Sequence, residues 1–419
     1  MGALTRAGWT GLAIAAVTIA LAACGGSSGS GPVTLNWYVF PEPSGSFATA
    51  AANCSKASNG AYQIKINFLS NSSDQQRISL VRRLAAGDSS IDILAMDVDW
   101  TAEFADAKWI RPWTGTNAAA VSKGVLPGPL KTATWNGRLY AAPINSNTQL
   151  LWYRKDLVPH PPKTWNQMID DAIQLAKEGK PHYIEEQGAK YEGLTVWFNS
   201  LVNSAGGQIL SPTNKILVDH TSETAAKIMK RLADSPAADP ALNVAMEGSS
   251  ETNWEHGIAA FQINYPFVWS AAKADSPSVF KHMGYAPFPS VTPGVAPRVS
   301  IGGYNLGVST HSKHPQLAFQ AIRCLVQPAN QARDAIKGGL APVLASIYNQ
   351  PSFEKAYPFH ALIKAQLERY GLRPQTPAYA DVTLAIQDTL SPTSSIDPSS
   401  VVSTLRGDIK NALSSQALL

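Results

Sequence analysis

The stretch IDILAMDVDWTAEFA, residues 91–105, decides how this chain is read. Its first half, Ile91, Ile93, Leu94 and Met96, is a short apolar run of the length that suits a buried strand. Two carboxylates, Asp97 and Asp99, follow at once, and then Trp100. Acids and an aromatic at the carboxyl end of a strand are what an α/β sheet uses to wall a ligand crevice. Asp97 is read as a ligand contact. Asp99 is read as a helix cap, since it precedes Trp100-Thr101-Ala102-Glu103 and acids favour the N-cap and first turn.

Outward from that stretch the same architecture repeats. VTLNWYVF (33–40) and YQIKINFL (62–69) alternate as strands, with Tyr62, Ile64, Ile66 and Phe68 on one face of the second. Between them, Gly45 to Ser55 starts a helix. Asp74 to Ala86 is amphipathic, with Ile78, Val81 and Leu84 opposite Arg77, Arg82 and Arg83. Strand, helix, strand, helix, strand predicts a mostly parallel sheet covered by helices. Residues 135–154 hold two aromatic-rich runs around Asn145-Ser146-Asn147, the place for a crossing between lobes. Helices are expected at 165–178, 194–205, 222–233, 316–326, 378–390 and 401–413. The proline- and glycine-rich run 285–297 is a loop or hinge, and 301–308 returns to the first lobe, its glycines marking backbone crowding at a strand.

A chain of 419 residues is large for one folding unit, so two lobes are the default. The formal charge is only +4, and no basic cluster is longer than Arg82-Arg83, which argues against nucleic acid as a partner. Arg6 precedes an uncharged run, Ala7 to Ala23, ending in Leu21-Ala22-Ala23-Cys24. That is a secretory signal (1–23) with a lipobox, placing lipid on Cys24 and a GGSSGSG tether behind it (24–32). The mature chain then sits on the extracytoplasmic face of the cell membrane, attached through lipid alone. Cys54 and Cys324 remain as an even pair in an oxidising compartment and are predicted to form a disulfide, which makes the first lobe from separated pieces of sequence.

Catalytic motifs are scarce. The histidines are dispersed, His311 and His314 lack a carboxylate at ligand spacing, and no G-x-S-x-G, P-loop or GxGxxG element occurs, so neither metal nor cofactor is expected. Asp97, Asp99, Glu103 and Glu247 leave open a glycosidase pair of acid and nucleophile, whose separation a sequence does not give. Eleven Trp and 13 Tyr, many beside polar residues (Asn36-Trp37-Tyr38, Asp99-Trp100, Asn264-Tyr265), point instead to carbohydrate. Sugars pack their C–H faces on rings and take hydrogen bonds from carboxylates, amides and guanidinium. Trp109, Trp113 and Trp165 are read as core.

Particular strings then carry a family resemblance: MDVDWTAEFA (96–105), LPGPL (126–130), NTQLLWYR (147–154), VWFN (196–199), SAGG (204–207), NYPFV (264–268), IGGYNL (301–306) and RPQTPAY (373–379). Over nearly the whole mature chain the sequence resembles the substrate-binding proteins of ABC sugar importers (extracellular solute-binding protein family 1), and among them the trehalose-binding lipoproteins. The resemblance implies an α/β, two-lobed periplasmic-binding-protein fold of type II, with discontinuous lobes joined by a hinge. Lobe 1 is expected at 33–145 with 300–345, lobe 2 at 146–299 with 346–419. It implies a monomer, not an enzyme, that captures trehalose or a similar disaccharide and hands it to permease subunits driven by a cytoplasmic ATPase. Residue by residue it implies ligand contacts at Asp97, Asn147, Glu247, Tyr265 and Arg373, with Gln76, the Gly339-Leu340 turn and Glu42 as further candidates. Tyr265 stands where the family pattern has tryptophan, keeping a ring and adding a hydroxyl. A lipid-anchored glycoside hydrolase, or a carrier of another oligosaccharide, is the alternative reading.

Overall fold

The computed structural model describes residues 31–415. The expected signal segment, Cys24 and most of the tether lie outside the described residues.

β1 (Val33–Val39) pairs in parallel with β2 (Tyr62–Phe68) along its full length and, on its other side, with β3 (Ile93–Asp97). The alternation read in β1 buries Leu35, Trp37 and Val39 completely. Of the face shared by Tyr62, Ile64, Ile66 and Phe68, the first two are buried and Phe68 is exposed, where the edge strand of the sheet ends. After β4 (Ala142–Asn147) the chain leaves this sheet, and it returns as β9 (Gly302–Val308), which inserts antiparallel between β3 and β4. The sheet order is therefore β2-β1-β3-β9-β4.

A second sheet takes the intervening sequence: β5 (Leu150–Arg154), β6 (Tyr183–Glu185), β7 (Ala259–Asn264) and β8 (Met283–Ala286), in the order β8-β5-β7-β6. Only Thr148 and Gln149, both buried, separate β4 from β5, so consecutive strands belong to different sheets. The 285–297 segment begins as the end of β8 and only then becomes loop.

Each sheet has its own core. Trp37, Phe47 and Phe319 pack with the first, and Trp165, Trp197 and Phe288 with the second. Trp113 and Trp165 are core as read, at 3% and 0% exposure, and Trp109 packs edge-on against Phe104. Helix Glu192–Ser204 is buried on every face, which places it between layers rather than on a surface.

The disulfide joins Cys54, in helix Ser46–Ala57, to Cys324, in helix Pro315–Leu325, across 270 positions of sequence. A cross-link of such long range removes much conformational freedom from the unfolded chain. Replacing both cysteines by serine is expected to cost roughly 2–5 kcal/mol and to lower the thermal midpoint by several degrees, with ligand affinity retained. Differential scanning calorimetry beside a binding titration checks both halves of that expectation.

Beneath helix Glu247–Glu255, Glu185 is 1% exposed and takes a 3.4 Å hydrogen bond from Asn253. Burial, with the nearby Asp239 carboxylate, pushes its carboxyl up to about 8. The folded state therefore holds a proton that the unfolded state releases near 4.5, and stability falls as pH rises from there to about 8. Glu185→Gln is expected to flatten the decline in thermal midpoint between pH 5 and 8. A decline as steep as that of the unmodified protein would remove Glu185 as its source.

Candidate functional site

The carboxyl end of β3 delivers Asp97 as expected, but its partner is unexpected. Arg373 donates from Nη2 to Asp97 Oδ1 at 2.7 Å, and from Nη1 to Glu192 Oε1 at 2.6 Å and Asp99 Oδ2 at 3.3 Å. The side chains are 3% (Arg373), 14% (Asp97), 2% (Asp99) and 9% (Glu192) exposed, so one guanidinium sits among three carboxylates with little water. Burial pushes the Asp99 and Glu192 carboxyls up, and Arg373 opposes it. Asp99 thus caps nothing: the helix Thr101–Asp106 starts behind Trp100 with no side-chain cap, and the acid is turned toward Arg373 instead. Asp97 and Arg373 come from opposite sides of the crevice and meet each other directly.

Glu192 escaped the sequence reading. It occupies the first turn of its helix, where an acid passes for ordinary dipole compensation. Its only signal was the scarcity of charge in the residues behind it, GLTVWFNSLVNS, since a helix with no charged residue after its first turn has no strongly wet face. Tyr379 Oη donates to Glu192 Oε1, and Thr383 Oγ1 to Oε2 at 2.7 Å, so the carboxylate is fully engaged.

The remaining walls come from both sheets. Tyr304 on β9 is the register partner of Asp97, which puts their side chains on one face. Its ring stacks on Phe40 at 4.2 Å, and its hydroxyl donates to Gln76 Oε1 at 3.2 Å. Gln76 is anchored in turn to the Ser70 carbonyl at 2.7 Å. Asn147 pairs with Gly302 and accepts from Asn145 Nδ2 at 3.3 Å. From the second sheet, Tyr265 follows β7 and brings its hydroxyl to 3.9 Å from where a Gly302 Cβ would lie. Burial pushes the Tyr265 phenol up, reinforced by Glu247 and Asp97 and opposed by Arg373. Burial also raises Glu247, to which Asp97 adds from across the crevice. Asp97, Glu247, Tyr265, Tyr304 and Arg373 thus lie within electrostatic reach of one another.

Three further candidates are engaged as follows. The Glu42 carboxylate accepts from Ser44 N at 2.8 Å and from Ser46 N and Oγ at 3.0 Å, serving the start of a helix whose own N-cap is Gly45. Leu340 lies half-buried against the first core. Gly339, at φ 71°, closes helix Pro328–Gly338, and a Cβ there would come within 2.7 Å of Phe267 Cα. The two halves of the molecule therefore touch backbone to backbone at this glycine.

The acids a glycosidase would need are already committed. Asp97 and Asp99 face Arg373, and Glu103 receives both Nε and Nη2 of Arg77, which leaves Glu247 without a second free carboxylate among that set. Among the described residues no group of three or more His, Cys, Asp or Glu could hold a metal.

Comparison with known proteins agrees with this geometry. The family model described as bacterial extracellular solute-binding protein matches residues 43–332. A probable ABC transporter-binding protein of Deinococcus radiodurans is 27% identical over 327 residues, covering 75% of this chain and 76% of that protein. Maltose-bound MalE3 of T. maritima superposes with a TM-score of 0.82 at 25% identity, covering 90% of this chain and 99% of the other. The GacH receptor of Streptomyces glaucescens, known unliganded and with acarbose, gives 0.79 at 20% identity, covering 91% and 99%. The two sheets are accordingly the two lobes of a type II solute-binding fold, and the chain belongs to the bacterial extracellular solute-binding protein family.

Proposed function

We propose that this protein captures trehalose or a related disaccharide outside the cell and delivers it to the permease of an ABC importer, whose cytoplasmic ATPase supplies the energy. The observation that carries the reading is the crevice itself. Charged hydrogen-bonding groups, Asp97, Glu247 and Arg373, lie within electrostatic reach of Tyr265, and the two acids within reach of Tyr304, one ring from each sheet. A neutral sugar needs that combination: rings for its C–H faces and ionised groups for its hydroxyls. Each charge-assisted bond contributes roughly 1.5–3 kcal/mol in a water-poor site, or about tenfold or more in affinity. The matched ABC transporter-binding relative and the maltose- and acarbose-bound neighbours support the same assignment. Asn147 and Gln76 complete the wall, with Glu42, Gly339 and Leu340 as further contacts.

In this reading the chain works as a monomer tethered through lipid on Cys24. Its lobes are 33–145 with 300–345 and 146–299 with 346–419, and they close over the ligand. The test is a thermal-shift panel of disaccharides followed by calorimetry. Trehalose or a close relative is expected to raise the midpoint, and Asp97→Ala to lose detectable binding. Recovery of glucose from incubated trehalose would sink the carrier reading in favour of the hydrolase, since a carrier returns its sugar intact.

A further inference from the structure

At the edge of the second sheet, where β8 ends in Ala286, lies a cavity of about 750 Å³ whose lining residues are all distinct from those of the crevice described above. It is held open by fixed main chain. Phe288 at its floor is 1% exposed, its N–H donates to Gln366 Oε1 at 3.0 Å, and its ring meets Trp165 at 5.5 Å, close to edge-on. The wall that carries Lys163 is tied down by Ser290, which donates from N to the Lys163 carbonyl at 2.9 Å and accepts from Trp165 N at 3.1 Å. A second cavity of about 460 Å³ shares Lys163, Ser290 and Ala296 with the first, so the two form one trough along the 293–297 loop. A preformed apolar hollow with a few polar groups is the usual form of a small-molecule site.

The lining combines apolar walls with unanswered positive charge. Pro161, Pro287 and Pro297 offer C–H surface beside the Phe288 ring. Proline has no N–H, so a polar head entering between these residues must be met by side chains. The side chains at hand are His160, Lys163 and Arg369, all exposed at the cavity and none of them paired with a carboxylate among the described residues. Glu368, the acid next to Arg369 in sequence, faces Lys364 at 4.0 Å instead. No Asp or Glu lines either part of the trough. A carboxylate or phosphate would therefore meet a lysine and a forked guanidinium with no acid in the wall to compete for them, while a neutral molecule of the same shape would gain from the apolar walls alone.

We infer that this trough is a second binding site, separate from the crevice, for a small amphipathic anion: an apolar body seated on Phe288 and the prolines, with a carboxylate or phosphate head held by Lys163 and Arg369. The inference goes beyond the sugar-binding reading and does not depend on it.

The experiment is calorimetry in phosphate-free buffer with 2-naphthoate, 2-naphthyl phosphate, the neutral 2-naphthamide and inorganic phosphate, on the unmodified protein and on Lys163→Gln, Arg369→Gln, Ala296→Trp and Asp97→Ala. The first three substitutions are at exposed positions of the trough, so the fold tolerates them. At least one of the two naphthyl anions is expected to bind once per chain, about tenfold or more tighter than both 2-naphthamide, which lacks the charge, and inorganic phosphate, which lacks the body. Which of the two binds tighter separates a carboxylate head from a phosphate head. Lys163→Gln and Arg369→Gln should each weaken that anion about tenfold, and Ala296→Trp, by filling the trough, should weaken it at least as much. Asp97→Ala should leave it within about twofold. If neither naphthyl anion binds, or if the amide or inorganic phosphate binds as tightly, the site is not one for amphipathic anions and the inference falls. It falls equally if the trough substitutions change nothing, or if Asp97→Ala alters the affinity strongly, since the anion would then sit in the crevice.

Discussion

Arg373→Ala is expected to abolish measurable sugar binding and to destabilise the folded protein by roughly 3–5 kcal/mol, the range for removing one partner of a buried ion cluster. The magnitude follows from what would remain. Asp97, Asp99 and Glu192 converge on the guanidinium from two lobes, each at most 14% exposed, and without it three carboxylates would face one another with no cation. Arg373→Lys should recover only part of this, because an ammonium is a point charge and does not reproduce a fork that contacts three acids at once. The loss has a predicted pH dependence. Burial already raises Asp99 and Glu192, so the folded state binds protons more readily than the unfolded one. Removing the opposing arginine strengthens that preference, and the variant should be least destabilised in acid and most as pH rises. Urea titrations at pH 5 and pH 8 measure it; an equal penalty at both would mean that the acids do not titrate as a group.

Gly303→Ala is expected to destabilise by about 3 kcal/mol or more, or to prevent folding outright. Its φ of 117° lies in a region that L side chains rarely adopt, and a Cβ there would come within 2.4 Å of the Asn145 carbonyl oxygen and 2.7 Å of Ser146 Cα. Both obstacles are main chain, in the strand paired with β9, so no side-chain rotation relieves them. The pairing shifts register between Tyr304 and Asn305, immediately after this glycine, and the same strand carries Tyr304 into the crevice. Gly302→Ala is the informative contrast. Its added Cβ would meet Asn147 Cβ at 3.4 Å, Tyr265 Oη at 3.9 Å and Asn147 O at 4.0 Å, all ordinary contacts, so it should fold and instead crowd the space beside Tyr265. Thermal melts of the two variants, with a binding titration on the second, separate backbone strain from loss of space.

The strand at 91–96, the helix before it and the long-range disulfide were all legible, because each is announced by a local pattern or by simple pairing of residues. The glycine cluster at 302–307 was also legible as crowding, although not which glycine bears the strain. What failed was the division of labour between the acids. Asp99 obeys every local rule for a helix cap, yet it serves Arg373, 274 positions away, and no neighbour in sequence hints at that choice. Glu192 was missed for the same reason: its partners Arg373, Tyr379 and Thr383 lie about 180–190 positions downstream. Tyr304 was quoted only as part of a string. Its role depends on lying opposite Asp97 once β9 has returned from the second lobe, a pairing that an interrupted lobe conceals. A resemblance to known sugar carriers supplied Arg373, and it supplied no reason for the residue; the reason is electrostatic and appears only in three dimensions.

The seat of Gly339 against Phe267 has a consequence of another kind. It is made of main chain, so it yields little and does not vary with the cargo. Any residue other than glycine at 339 would wedge the segment at Phe267 away from the end of helix Pro328–Gly338, so the fit between these two elements is set by the bare shape of the backbone and leaves no tolerance for a side chain.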